Sequence, residues 1–335
     1  MPLEVAGLGN ALMDALVVID DGILDELGLT KGTMHLVDHE QWEQVFDRVR
    51  DRDVTFHSGG SCANTIATIG WLGGDALYCG QVGPDGLGKM YEERIQRACG
   101  QHALIHAKTG NTGRCLSLIS EVDAERTMLT HLGAAVSVES LGAFEEHLKR
   151  TKIAQFTGYT LLDGPMRETA INAMRIAKAA GAKVSIDAAD PFVVLQIRDL
   201  LWELLTDLAD IVFLNADEAR KLTDEEPEHA IYTIAKRANI ETVIVKLGGS
   251  GSLVLHQGEL HRIAIRKVRA IDTTGAGDAY AGGFLFAHVR GWPARLCGEL
   301  ASAVAALAVA QVGAVVQDRE LLASLVAELD PGTAA

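Results

Sequence analysis

The feature of this sequence that most limits its fold is a repeated alternation between short apolar runs, rich in β-branched residues, and longer stretches with apolar residues at helical spacing. Strands buried on both faces lack alternating polar positions, and the helices between them connect parallel neighbours. We therefore predict an α/β fold with a mostly parallel sheet covered on both faces. The predicted strands are residues 3–8, 76–81, 153–156, 183–186, 211–214, 242–246 and 252–256.

Local signals mark two helix boundaries. Residues 166–180 have apolar residues at helical spacing and are followed by Gly181, which is suited to the left-handed conformation that ends helices. Asn215 is a good N-cap, and Glu218 occupies the capping-box position three residues later. Capping alone accounts for both residues, but a helix that begins at a strand end is also where α/β proteins bind ligands.

Two segments fit the α/β alternation poorly, at about residues 15–38 and 113–132. They contain strand-like pieces at 15–19, 34–37, 113–120 and 126–131, with a hairpin-like turn around 122–125. We predict that both segments form a small β-structure inserted into a single domain of residues 1–335.

A glycine-rich segment at 272–278, Asp-Thr-Thr-Gly-Ala-Gly-Asp, precedes an apolar, helix-forming run. The backbone N–H groups of Gly275, Ala276 and Gly277 at a helix N-terminus favour a bound anion such as phosphate. Asp278 would repel that anion, which indicates another task, namely to accept a proton from an attacking hydroxyl. The tripeptide alone is ambiguous, because glycine is common in turns and an acid in a first helical turn compensates the dipole.

Composition excludes several classes of function. The 335 residues carry 45 acidic and 30 basic side chains, a formal charge of −15, which argues against a nucleic-acid partner. The five cysteines stand singly, without metal-ligand or redox spacing, as reduced thiols do in a cytoplasmic protein. The N-terminus lacks the basic region of a signal peptide, and the uncharged residues 300–316 are too short and too polar for a membrane span. We expect a cytoplasmic protein with no membrane partner, in which residues 300–316 form a buried helix.

The glycine-rich segment and the helix after it, 272–285, resemble a signature of the ribokinase-like kinases, also called the PfkB carbohydrate kinase family. Four other segments resemble that family in its order: 9–14 its first substrate-binding turn, 59–65 its N-terminal signature, 215–219 its Asn-x-x-Glu segment, and 243–251 its nucleotide-contacting strand and loop. The resemblance implies a ribokinase-like three-layer α/β/α core, with the two irregular segments forming a small β-sheet lid over the substrate. It also implies ATP and Mg²⁺, and it leaves open a monovalent cation and the choice between monomer and homodimer.

The same resemblance assigns roles to individual residues. Asp278 would be the base, and the N–H groups of residues 275–277 would stabilise the transferring phosphoryl group. Asp14 would accept hydrogen bonds from adjacent sugar hydroxyls, although a simple turn role is an alternative for this residue. The acceptor side would include Asn10, Asp14, Gly59, Gly60 and Asn64.

The nucleotide side, and Arg126 as a further residue of the acceptor side, are assigned in the same way. Asn215 and Glu218 would organise Mg²⁺ and the triphosphate through water, because Mg²⁺ keeps much of its hydration shell. Arg126 would be a cation of the lid that reaches the transferred phosphate. The residues lining the nucleotide would be Thr273, Lys246, Gly248 and Gly251.

The acceptor is predicted from two departures from the sugar-kinase pattern. Ser61 stands where ribokinase-like sugar kinases often have lysine, and segments 9–14 and 126–135 resemble the adenosine kinase branch. The resemblance implies adenosine, phosphorylated on its 5′-hydroxyl, with Leu36, Leu132 and Tyr159 forming an apolar wall for the purine.

Three alternatives were weighed against this prediction. A kinase of ribose, fructose or 2-keto-3-deoxygluconate remains an alternative. A silent nucleoside- or sugar-binding protein is disfavoured, because a binder has no use for Asp278 beside a phosphate site. A nicotinamide-dependent dehydrogenase is excluded, because the glycines at 7–10 lack the third glycine of the dinucleotide motif.

Overall fold

The computed structural model describes residues 3–123 and 125–333, so Ala124 of the predicted turn at 122–125 and the outermost residues of the predicted domain lie outside the described residues. The strands are β1 (Leu3–Leu8), β2 (Leu12–Ile19), β3 (Met34–Leu36), β4 (Thr55–Gly59), β5 (Ala76–Cys79), β6 (Gln81–Val82), β7 (Ile105–His106), β8 (Gly113–Ser120), β9 (Arg126–His131), β10 (Thr151–Thr157), β11 (Lys183–Asp187), β12 (Ile211–Asn215), β13 (Thr242–Lys246), β14 (Ser252–His256) and β15 (Glu259–Ile263). The α-helices are α1 (Gly22–Leu27), α2 (His39–Asp47), α3 (Ser61–Trp71), α4 (Gly86–Cys99), α5 (Phe144–Leu148), α6 (Pro165–Ala179), α7 (Pro191–Gln196), α8 (Arg198–Asp207), α9 (Ala216–Thr223), α10 (Pro227–Ala238), α11 (Ala276–His288), α12 (Ala294–Val309) and α13 (Arg319–Leu329).

The large sheet has eight strands in the described residues, in the order β15-β14-β13-β12-β11-β10-β1-β5. The six strands from β13 to β5 are parallel, and β14 and β15 add an antiparallel edge. The predicted mostly parallel sheet is therefore confirmed. Strand β15 was not predicted, because Glu-Leu-His-Arg-Ile is mostly polar, contains one β-branched residue and lies at a partly exposed edge. The single strand predicted at 76–81 is divided at Gly80, where a Cβ would lie 2.8 Å from the carbonyl oxygen of Gly9.

Helices cover both faces of this sheet, which confirms the predicted three-layer architecture. One apolar cluster joins the sheet to α5–α10, and a second joins it to α3, α4 and α11–α13. The paired glycines of α11 let that helix pack directly on its neighbours. A Cβ on Gly282 would lie 2.7 Å from the Cβ of Thr68 in α3, and one on Gly283 would lie 3.0 Å from the Cα of Ala301 in α12. This close packing fixes the N-terminus of α11 beside that of α3.

Both predicted helix signals are confirmed. Helix α6 ends at Ala179, and Gly181 adopts a φ of +88°. Asn215 caps α9, and its side chain and that of Glu218 form a reciprocal capping box. The helix predicted over 300–316 ends earlier, at Val309, because residues 311–317 turn back towards the glycine-rich segment and Gly313 adopts a φ of +96°.

The smaller sheet has five strands in the described residues, in the order β3-β9-β8-β2-β4. Four of them fall in the segments predicted to form the small β-structure. The fifth, β4, was not predicted, because Thr-Phe-His-Ser-Gly contains only one β-branched residue. Strand β2 begins at Leu12, so that Asp14 lies within a strand, opposite His57, and not in a turn. The described part of the chain contains no helix long and apolar enough to span a bilayer.

Candidate active site

Three polar side chains lie at the carboxyl ends of adjacent parallel strands. Asp187, Asn215 and Lys246 are the last residues of β11, β12 and β13. The Nζ atom of Lys246 donates a hydrogen bond to Oδ2 of Asp187 at 2.9 Å, and both side chains are largely buried. Burial opposes the ammonium charge, but the charges of Asp187 and Glu218 hold the pKa of Lys246 above its usual value. The carboxyl edge of a parallel sheet is where α/β proteins bind ligands.

Glu218 places a second carboxylate at this edge. It is only 1% exposed, and it accepts hydrogen bonds from the backbone N–H of Asn215 at 2.7 Å and from Nδ2 of Asn215 at 2.5 Å. Burial raises the pKa of Glu218 to about 7, and the charge of Asp187 adds to this effect, while Lys246 opposes it. Two buried carboxylates beside one lysine leave an excess of negative charge that a further cation can balance. Mg²⁺ is commonly held by one or two carboxylates together with substrate phosphates.

The glycine-rich segment forms the N-terminus of α11 as predicted. Gly275 is the N-cap with a φ of +72°, and a Cβ there would lie 2.3 Å from the Cβ of Ala314. A Cβ on Gly277 would lie 3.1 Å from Nζ of Lys246. The backbone N–H groups of residues 275–277, here called the anion hole, therefore lie directly beside a lysine ammonium group. The N–H of Ala276 also donates to the carbonyl oxygen of Thr273 at 3.3 Å. Backbone N–H groups and a cation at a helix N-terminus favour a phosphate.

Asp278 lies in the first turn of α11 and is held by two side chains of α3. Ser61 Oγ donates to its Oδ1 at 2.6 Å, and Asn64 Nδ2 donates to its Oδ2 at 2.9 Å. Burial raises the pKa of Asp278 to about 6, and Asp187 adds to the shift, while the two hydrogen bonds and Lys246 reduce it. At neutral pH the carboxylate is ionised and oriented, with a proton affinity well above that of an ordinary aspartate.

Asp14 and the paired glycines lie near Asp278. A Cβ on Gly59 would lie 2.2 Å from Oδ2 of Asp14, so that only glycine leaves space for this carboxylate. Asn10 is buried, and its Oδ1 has no hydrogen-bond partner within the described chain. Burial raises the pKa of Asp14 to about 7; the charge of Asp278 adds to the rise and that of Arg126 opposes it. Partly exposed acceptor groups beside a base can bind a substrate that carries hydroxyl groups.

Arg126 connects the smaller sheet to the glycine-rich segment. Its Nη2 lies 2.5 Å from Oδ2 of Asp272, and its Nη1 donates to Oγ1 of Thr274 at 2.5 Å. Asp272 is buried and also accepts hydrogen bonds from the backbone N–H groups of Thr274 and Gly313, each at 2.9 Å. Burial opposes ionisation of Asp272, but these hydrogen bonds and the charge of Arg126 hold its pKa below the usual value.

The remaining predicted residues are less closely grouped. Gly248 and Gly251 adopt φ values of +55° and +92° in the loop after β13, and a Cβ on Gly251 would lie 2.0 Å from the carbonyl oxygen of Ile263. Thr273 is exposed beside the anion hole. Leu36, at the edge of the smaller sheet, is 65% exposed, and Leu132 is half-buried.

Tyr159 lies near the acidic groups of the cleft. It is 38% exposed in a short 3₁₀-helix, Gly158–Leu161. Burial raises its pKa, and the charges of Asp190, Asp278 and Glu218 raise it further. This side chain therefore lies within the electrostatic influence of Asp278 and Glu218.

Sequence reasoning missed Asp187 and did not assign Ser61 or Thr274 a role. Asp187 could have been recognised because it is an acidic residue at the end of a buried strand rich in β-branched residues. Asn215 and Lys246 were recognised at the equivalent ends of their strands. Ser61 was noted only as a departure from a lysine. Its contact with Asp278 joins residues 217 positions apart and could not be read from spacing.

Replacing Gly60 with alanine is expected to destabilise the fold by about 2–5 kcal/mol, because it combines backbone strain with a steric clash. Gly60 has a φ of +94°, and a Cβ there would lie 2.1 Å from the carbonyl oxygen of Asn10. Gly73→Ala is the matched control, since Gly73 has a φ of +87° but no atom near its Cβ position. Urea unfolding of both variants measures the difference in the free energy of unfolding. Equal losses in the two variants would show that neighbouring atoms move to relieve the clash.

The chain is similar to known kinases along most of its length. The sequence model of one family, described as pfkB family carbohydrate kinase, matches residues 31–320. The aminoimidazole riboside kinase of Salmonella typhimurium is 30% identical over 277 residues, which are 77% of this chain and 83% of that protein. The crystal structure of adenosine kinase from Sinorhizobium meliloti has a TM-score of 0.86 and 33% identity, covering 98% of this chain and 99% of that chain. A probable sugar kinase from Rhizobium etli CFN 42 has the same TM-score and coverage with 31% identity.

Proposed function

The chain belongs to the pfkB family of carbohydrate kinases, and on that basis we propose that it transfers the terminal phosphoryl group of ATP to the 5′-hydroxyl of a nucleoside, adenosine in the first place. It is a phosphotransferase that acts on a hydroxyl group. The observation that carries the proposal is the setting of Asp278: an oriented carboxylate with a raised pKa, which directly follows the anion hole in α11 and whose charge raises the pKa of Asp14.

In the proposed reaction, Asp278 removes the proton from the attacking hydroxyl. Ser61 and Asn64 hold its two oxygens, so that little reorganisation is needed when the substrate arrives. A pKa of about 6 makes the carboxylate a stronger base than an ordinary aspartate while leaving it ionised at pH 7. The hydroxyl oxygen then forms its bond to phosphorus as the bond to the nucleotide's bridging oxygen breaks.

The anion hole and Lys246 stabilise the charge on the transferred group. Phosphoryl transfer depends mainly on positioning and electrostatic stabilisation. Lys246 Nζ lies beside Gly277, and its pair with Asp187 fixes it in place. Glu218 and Asp187 would hold Mg²⁺, directly or through water, and when bound the metal would neutralise charge on the phosphates.

We also propose that the smaller sheet closes over the acceptor. It supplies Asp14 from β2 and Arg126 from β9, and Arg126 spans the cleft to Asp272 and Thr274. The same sheet therefore carries a group that binds the acceptor, Asp14, and a cation beside the anion hole, Arg126. Binding of the acceptor to this sheet would thus bring the catalytic groups together. Such closure would exclude water, which otherwise competes for the phosphoryl group.

Adenosine is preferred as acceptor because the relatives named above include an adenosine kinase and a riboside kinase, each at least 30% identical. Within this chain, Ser61 supports the choice: it hydrogen-bonds the base Asp278, at the position where sugar kinases often have lysine. We propose that Leu36, Leu132 and Tyr159 form the purine wall when the sheet closes. A free-sugar kinase is the second candidate, favoured by the similar probable sugar kinase and by the 65% exposure of Leu36.

The pH profile offers a direct prediction. A base acts only when deprotonated, so that kcat/KM is expected to be full above the pKa of Asp278 and to fall as pH decreases through about 6. The carboxylate of Asp14, with a pKa of about 7, broadens this limb, because the two groups titrate as a pair. Steady-state rates measured across this range test the prediction. A rate that stays constant down to the usual pKa of aspartate would contradict it.

The proposed substrate is tested by ADP formation from MgATP with purified protein. The acceptor panel is adenosine, inosine, guanosine, cytidine, ribose, fructose and 2-keto-3-deoxygluconate. Turnover with adenosine at the lowest KM is expected. Turnover with sugars alone would keep the catalytic assignment and overturn the acceptor, and turnover with none would overturn both the nucleoside and the sugar assignment.

A further inference from the structure

A second cleft lies behind the glycine-rich segment, between α4 and residues 311–317. It has a volume of about 510 Å³ and narrows into a recess of about 20 Å³. None of the described residues that line it belongs to the proposed catalytic or substrate-binding groups. The larger volume lies in the range of small-molecule sites, at about 300–1,000 Å³.

Arg94 is the main charged group of this cleft and lines both its parts. Its Nε atom is buried, and within residues 3–123 and 125–333 it has no hydrogen-bond partner. The side chain as a whole is partly buried, and a nitrogen of a charged group that is removed from water without a hydrogen-bond partner carries a free-energy cost. Burial and the neighbouring charge of Arg97 hold the pKa of Arg94 below its usual value. An anion in the cleft would relieve both effects.

The polar groups around Arg94 favour the same ligand. Arg97, Ser58 and Gln317 also line the cleft, with His57 between its two parts. No aspartate or glutamate lines it in the described chain. The cleft is lined by cations although the protein as a whole has a net charge of −15. An anionic ligand is therefore attracted to this cleft and repelled by the acidic remainder of the surface.

The opposite wall is apolar. Val54, Phe56, Met90 and Val312 line the wider part, and Val312 is 55% exposed. We propose that this cleft binds a small phosphate monoester with an aromatic or apolar body, the phosphate on Arg94 and Arg97 and the body against Phe56 and Met90. Guanidinium groups match phosphate oxygens in geometry, and the apolar wall favours an organic ester over inorganic phosphate.

An occupant would contact the segment that supports the anion hole. Residues 311–317 carry Gly313, whose N–H donates to Oδ2 of Asp272 at 2.9 Å, and Ala314, which packs against Gly275. The His57 ring, which lines the cleft, lies 3.3 Å from the position of a Cβ on Gly313. The proposed site is therefore next to the phosphate-binding residues but separate from them.

The test is isothermal titration with phenyl phosphate, inorganic phosphate and phenol as probes. Phenyl phosphate is expected to bind more tightly than either of its parts, and Arg94→Gln is expected to weaken that binding at least tenfold. Gln317→Glu is a second variant, for the case that Arg94→Gln folds poorly. It changes an exposed side chain and introduces a carboxylate that competes with the phosphate for the two arginines, so it is expected to weaken binding similarly. Arg175→Gln, which removes an exposed arginine of α6, is the matched control.

Two outcomes would overturn the proposal. The first is unchanged phenyl phosphate binding in both Arg94→Gln and Gln317→Glu. The second is competition of phenyl phosphate with ATP or with the acceptor in steady-state assays, which would place it in the catalytic cleft. A third outcome is that inorganic phosphate binds as tightly as phenyl phosphate and loses this binding in the same variants. The ligand would then be free phosphate, and the proposed contact of an apolar body with Phe56 and Met90 would be wrong.

Discussion

Asp278→Asn is expected to lower kcat by more than about 100-fold, because it removes the proposed general base while keeping the side chain's size and position. ATP binding is expected to persist, since the anion hole and Lys246 are unchanged. The part of the decline in kcat/KM that belongs to Asp278, near pH 6, is expected to disappear from the residual activity, leaving the contribution of Asp14 near pH 7. Single-turnover rates with MgATP and acceptor measure the loss in the chemical step.

Stability distinguishes this result from simple unfolding. Burial raises the pKa of Asp278 from 3.8 to about 6, so the folded state favours the protonated carboxyl, and ionisation reduces stability as pH rises through that value. Asp278→Asn is therefore expected to unfold at the same temperature as the wild type, or a higher one, at neutral pH. Asp217→Asn is the matched control, since Asp217 is an exposed acid in the first turn of α9. Near-wild-type turnover of Asp278→Asn would rule out its role as base.

Asp14→Asn is expected to raise the KM for the acceptor by about 10–100-fold, because hydrogen bonds to a charged group contribute roughly 1.5–3 kcal/mol. The KM for ATP is expected to remain unchanged, since Asp14 belongs to β2 of the smaller sheet and not to the anion hole or to the strand ends that carry Asp187 and Lys246. Steady-state kinetics with each substrate varied in turn separate the two effects. Asp20→Asn, at an exposed position just beyond the same strand, is the control.

A pH measurement tests whether Asp14 acts on the substrate site or only on the fold. The charge of Asp278 raises the pKa of Asp14, so that Asp14 titrates near pH 7 and Asp278 near pH 6. Asp14→Asn removes the group with the higher pKa, so the acidic limb of kcat/KM is expected to become narrower and to move towards pH 6. An unchanged acceptor KM together with an unmoved limb would remove Asp14 from the acceptor site.

Features that depend on nearby residues could be predicted from the sequence. The capping box of Asn215 and Glu218 spans three residues, and the N-terminus of α11 follows from two glycines before an apolar helix. The strands of the large sheet were recognised because a strand buried on both faces needs a continuous apolar run. Strands β4 and β15 were missed because they are partly exposed and carry polar residues.

The sequence by itself therefore determined the α/β class and the start of α11 at the glycine-rich segment, because hydrogen bonds and hydrophobic patterns within a few residues specify them, and it singled out Asp278 as the candidate base. Only the tertiary structure decided which side chains meet Asp278. Ser61 and Asn64 lie 217 and 214 positions away, and Lys246 pairs with Asp187 across 59 positions. These contacts depend on the order of strands in the sheet and on the packing of α11 against α3, and a chain's local pattern does not encode which distant element becomes its neighbour.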